Sequence, residues 1–192
     1  MFRRRRDAES VATPAADPVA ALDLAAVPPR LVAVVQGAVE ARHRWGAVVA
    51  GLAPGPLADR LTELGARIDA GVADVHATAV RVGEAERVLA ALDVDGATAA
   101  FKAARRRAAD GDPPPELEAL EARFTSVQRI LNSAAEAEER LRVLDARLLA
   151  AVARGAEVAL TADGDALRSL GDDLDGVVSE LGALRSALSS LR

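Results

Sequence analysis

From Leu167 to Leu191 the apolar residues recur at alternating steps of three and four: Leu167, Leu170, Leu174, Val177, Leu181, Leu184, Leu188 and Leu191. In an α-helix this spacing puts them all on one stripe, because two turns take about seven residues; in a β-strand it would scatter them over both faces. A leucine stripe of that length is unstable in water and needs another helix to cover it. A chain that contains it folds by packing helix on helix.

The rest of the chain repeats the pattern between proline and glycine breaks. Pro28-Pro29 opens a first ladder of Leu31, Val34, Ala38, Ala41, Trp45, Val48 and Leu52, and Pro54-Gly55-Pro56 ends it. Proline suits the first turn of a helix and stops one arriving from before it. A second ladder runs through Leu57, Leu61, Leu64 and Ile68, slips phase once near Val72, and continues through Val75, Ala79, Val82, Ala85, Leu89 and Leu92. Asp95-Gly96 is read as a stop or a kink before an alanine-rich segment around Phe101, Ala104 and Ala108. The run Asp110-Gly111-Asp112-Pro113-Pro114-Pro115 marks the sharpest reversal, with Asp112 as the expected cap of the helix that follows. That helix carries Leu117, Leu120, Phe124, Val127, Ile130, Ala134, Ala137, Leu141, Leu144, Leu148 and Ala151.

The pattern predicts helices at 29–52, 56–94, 97–109, 114–160 and 165–191, after an arm at 1–27 that has charges and prolines but no sustained period. At about 1.5 Å per residue the four longer helices measure roughly 33, 55, 69 and 40 Å. The lengths pair if Asp95-Gly96 is only a kink: two long central helices form a hairpin with its tip at Gly111 to Pro115, and the outer two pack around its base. If the segment 97–109 is a separate helix, the bundle is more compact. The expected fold class is therefore all-α, an antiparallel long-helix hairpin or coiled-coil bundle of four to five helices within residues 28–192.

Composition agrees. Hydrophobic residues make up 51% of the chain and aromatics only 2%, so Ala, Leu and Val carry the core, which favours helix over sheet. Alanine seams bury little area per residue. The leucine ladder from Leu167 to Leu191 is accordingly expected to double as a self-association seam for a homodimer. The cations are arginines apart from Lys102, a bias that fits a GC-rich bacterial genome.

Several function classes fall away. A net charge of −5 argues against a general nucleic-acid binder. Without cysteine there is neither a disulfide framework nor a thiolate metal site. The apolar runs are too short to cross a bilayer, and no apolar signal core follows Arg3 to Arg6, so the expected location is cytoplasmic. Glu40-Ala41-Arg42-His43 has the Glu-x-x-His spacing of dimetal helical bundles, but the ladder phase turns both residues outward, and His76 has Ala73 where a matching Glu would stand. Asp163-Gly164-Asp165 lacks the later Glu of a calcium loop, since Leu174 occupies that position, and reads as a helix cap. No serine sits in a glycine-rich elbow, and no enzyme, cofactor or metal is expected.

Two basic clusters remain. Phe2 with Arg3, Arg4, Arg5 and Arg6 sits on the arm, where it could meet anionic lipid at the inner membrane face or an acidic partner. Lys102, Arg105, Arg106 and Arg107 fall near the hairpin tip, where they form either a solvated helix end or a contact site. The leading functional expectation is a non-enzymatic interaction or scaffold protein that binds protein partners or itself through helical faces; the alternative is a peripheral membrane protein held by the arm.

Overall fold

The computed structural model describes residues 22–190. These residues form five α-helices and no strand: α1 (Pro29–Ala50), α2 (Pro56–Ala91), α3 (Val94–Ala109), α4 (Leu117–Thr161) and α5 (Gly164–Ser189), preceded by a short 3₁₀ turn at Leu24–Ala26. Proline opens α1 and α2 in the first turn. Asp163 caps α5 by accepting the Asp165 and Ala166 N–H groups, so the Asp-Gly-Asp turn is a cap, as its sequence suggests.

The cross-helix ion pairs give the topology directly. Arg30 meets Glu86 while Arg42 meets Asp69, so α1 runs antiparallel to α2. Arg147 pairs with Glu180 and Arg154 with Asp173, which makes α5 antiparallel to α4. Arg67 reaches Asp175 and Arg185 reaches Asp74, so α5 is parallel to α2. α2 and α4 form a central antiparallel pair, with α1 on one flank and α5 on the other. Past the first turn of α1 and the last of α5, the hairpin continues without a further helix among the described residues, as α3 and the opening turns of α4. Phe101 and Phe124 stack there with ring centroids 4.6 Å apart.

The apolar residues sort accordingly. The main core lies in the four-helix base and includes Leu31, Trp45, Leu61, Ile68, Leu141, Leu148, Leu174 and Leu181, all essentially buried. A satellite cluster of Leu89, Ala97 and Val127, flanked by Leu92, Val94 and Ile130, holds the joint between base and distal hairpin. α2 touches three helices, so its buried face is wider than one stripe. Gly71, Asp74 and Thr78 are buried as well as Val72, Val75 and Ala79.

Five sequence expectations are corrected. Residues 22–27 belong to the bundle rather than to an arm: Val27 is buried, Leu22 and Leu24 pack on the core, and the Asp23 carbonyl meets His76 Nε2 at 3.0 Å. α1 ends at Ala50, and Val35 rather than Val34 takes the buried position. The break in the long arm falls at Leu92-Asp93, not at Asp95-Gly96. Asp93 adopts left-handed backbone, φ 49°, and its carboxylate accepts the Gly96 N–H at 3.0 Å, while Arg123 donates to the Leu92 carbonyl at the end of α2. Asp112 does not cap α4, which starts at Leu117. Instead, Asp112 N–H bonds back to the Arg107 carbonyl and Gly111 N–H to that of Ala108, with Gly111 at φ 87°, closing α3 in a Schellman turn. Finally, the α5 ladder is covered within the chain. Leu170, Leu174, Val177, Leu181, Leu184 and Leu188 are all buried against α2 and α4, Leu167 is half-buried, and Leu191 lies outside the described residues. Among the described residues the ladder is covered because α2 offers α5 a face of its own.

Candidate interaction surface on the distal hairpin

The base has its charges in order. Every described arginine outside residues 87–129 has a carboxylate partner. Arg30 is held between Glu86 and Glu138, and its hydrogen bond keeps the Glu138 carboxyl below the usual carboxylate range. Within 87–129 the pattern reverses: Arg107 pairs with Asp112 at 2.7 Å, whereas Arg87, Lys102, Arg105, Arg106, Arg123 and Arg129 have no carboxylate partner among the described residues.

Lys102, Arg105, Arg106 and Arg107 are all exposed near the C-terminal end of α3. Arg105 lies over the Phe101 ring, 5.8 Å from its centroid, and Arg106 Nε donates to the Lys102 carbonyl at 3.3 Å. Both guanidinium groups are oriented without being neutralised, so most of their donors stay open.

Beside them runs an apolar stripe that the sequence presents only as core. Leu117, Phe124 and Leu131 are spaced by sevens on α4, and the same register continues through Glu138, Asp145 and Val152. In the base α1 covers the register: Arg30 takes Glu138, Gly37 lies across from Asp145, and Val152 is buried. Beyond Arg30 no described residue continues that cover. Leu131 is 41% exposed, and Phe124 and Leu117 are only half-buried. The missing signal was relative helix length, since the stripe opens where α1 runs out.

Other candidates resolve as structure. Glu40 and His43 point outward, as their phase requires, and Glu40 pairs with Arg44. His76 holds the Asp23 carbonyl. Among the described residues no group of three or more His, Asp or Glu is placed to hold a metal ion, and no helix is long and apolar enough to cross a membrane. A shallow groove of about 400 Å³ lies beyond the end of α5, lined by Ala85, Val88, Ala91, Ile130 and Leu188. Phe2 and Arg3 to Arg6 lie outside the described residues. No protein-family model, curated protein or solved structure matches the chain.

Proposed function

We propose that this chain is a non-enzymatic interaction protein of the scaffold type, in which the four-helix base is the support and the distal hairpin presents the surface that a protein partner binds. One observation carries the reading. In the base the described arginines are paired and the exposed Val143 and Leu160 stand apart from unpaired cations, whereas on the hairpin beyond it cations without a carboxylate among the described residues accompany the exposed Leu131 and the half-buried Phe124 and Leu117. Lone solvated arginines are ordinary; an arginine laid over the Phe101 ring, which stacks on the half-buried Phe124, has the composition of a contact patch, where Arg and aromatic residues concentrate binding energy.

The test is affinity purification of the full chain from its native cells, with light scattering of the purified protein. The expected result is a protein recovered in stoichiometric amount, and retained when the base pairs Arg147–Glu180 and Arg154–Asp173 are disrupted. A lone monomer that recovers nothing overturns the proposal.

A further inference from the structure

Resting on that reading, we infer that the occupant of the distal hairpin is an amphipathic helix of a partner protein, acidic along one edge, lying on the flank where the axis of α1 would continue. Its apolar side covers Leu131, Phe124 and Leu117. Its carboxylates meet Arg105, Lys102 and Arg106.

Three observations select this occupant. The first is continuity: α1 already covers the same heptad register at Glu138, Asp145 and Val152, so a helix is the shape that extends the cover. The second is charge. Arg105 is fixed over Phe101 and Arg106 by the Lys102 carbonyl, and neither has a carboxylate among the described residues. A guanidinium held in place with its fork unfilled matches a carboxylate bidentately at little ordering cost. The third is balance, since residues 94–131 contain as many carboxylates as cations. That cancels long-range attraction to a polyanion such as nucleic acid or an anionic bilayer, and it leaves the cations readable only by a partner docked at short range.

A second copy of the chain fits poorly. α1 stands on the same flank in each copy, so two hairpins meet face to face only when antiparallel. That sets one α3 against the other, cation to cation.

The experiment places a photo-cross-linking residue at the exposed Ala109 in the full chain, expressed in its native cells. The captured protein is identified and the cross-linked segment mapped. The segment is expected to be a helix with an excess of Asp and Glu. Capture should fall at least about tenfold in the triple variant Lys102→Glu, Arg105→Glu, Arg106→Glu, and return when the mapped acidic residues are changed to Lys. Arg105→Lys with Arg106→Lys keeps the charge but loses the fork, and should weaken capture by several-fold. An unchanged circular-dichroism melt shows that these surface variants fold. Capture that the triple reversal leaves intact, a mapped segment without acidic excess, or a cross-link to residues 1–21 or to a second copy overturns this inference and leaves the interaction reading standing. So does recovery of the chain on anionic vesicles or oligonucleotides through the same arginines. No capture by any route removes both.

Discussion

The six-membered ring of Trp45 lies against the bare α-carbon of Gly155, so close that a side chain there would overlap it. Gly65 clears room on the other side, where a Cβ would stand 3.1 Å from the indole nitrogen. That nitrogen donates to the Leu61 carbonyl at 3.1 Å, so the largest side chain of the core is satisfied and 1% exposed. Trp45 thereby fixes the spacing of α1, α2 and α4 at the open end of the base. It is also the only tryptophan, so its fluorescence reports this packing alone.

Gly155→Ala should therefore be destabilising although alanine is the better helix former. The methyl must push the indole or spread α1 from α4, and overpacking of this kind costs about 1–3 kcal/mol. Urea unfolding followed by Trp45 emission measures it. A variant as stable as the parent would show that the indole has room to move.

Asp145 sets a pH dependence of opposite sign to that of carboxylates paired with a cation. Its side chain is almost buried, one oxygen has no hydrogen-bond partner among the described residues, and burial pushes its carboxyl up to about 6 from an ordinary 3.8. Below the ordinary value both folded and unfolded chains are protonated at this site, and it costs nothing. Between about 4 and 6 the unfolded chain releases the proton first, so the folded state loses ground as pH rises; above that the penalty is full, at about 3 kcal/mol. Glu138, held low by Arg30, runs the other way and loses its contribution as pH falls below the ordinary carboxylate value. Asp145→Asn should raise stability at pH 7.5 by about 1–3 kcal/mol and much less at pH 4. Urea melts at the two values decide it; an equal effect at both would place the cause elsewhere.

Thr78 offers a simpler gain. It is fully buried in α2, and its hydroxyl has no partner among the described residues. Thr78→Val keeps the shape and removes the unsatisfied group, for an expected stabilisation of about 1 kcal/mol. A loss of stability in the same urea assay would mean that the hydroxyl has found a partner, such as a buried water.

The apolar period is enough to find the main buried stripe of a helix: the α5 ladder through Leu188 and the Leu57 to Leu92 ladder on α2 mark residues that are buried or half-buried. It does not show how far the buried face widens when a helix has a further neighbour. Gly71, Asp74 and Thr78 are buried only because α5 lies on α2 beside α4, and no local pattern announces a third partner. The hidden turns have the same origin. Asp93 breaks the long arm by entering left-handed backbone, a choice that the apolar period does not register, whereas Asp95-Gly96 looks like a breaker and is in fact the first turn of α3. The basic cluster of α3 was legible residue by residue. That Lys102, Arg105 and Arg106 have no carboxylate among the described residues was not, because pairing depends on which helices stop short of them.

The Asp93–Gly96 joint provides the last prediction, one that separates the distal hairpin from the base. The Asp93 carboxylate occupies the space a Cβ at Gly96 would need, so Gly96→Ala should displace the cap even though alanine favours helix. Asp93→Ala loses the cap outright and puts a side chain with no polar group in left-handed backbone, at about 1 kcal/mol for each effect. Asn tolerates that backbone and can still accept from Gly96 N–H, so Asp93→Asn should be nearly neutral. Because α3 rests on the small cluster of Leu89, Ala97 and Val127, the loss should stay local. Hydrogen exchange of α3 amides is expected to quicken by roughly tenfold or more in Asp93→Ala and in Gly96→Ala, with the Trp45 unfolding midpoint almost unmoved. A midpoint that falls together with α3 protection would show instead that hairpin and base unfold as one cooperative unit.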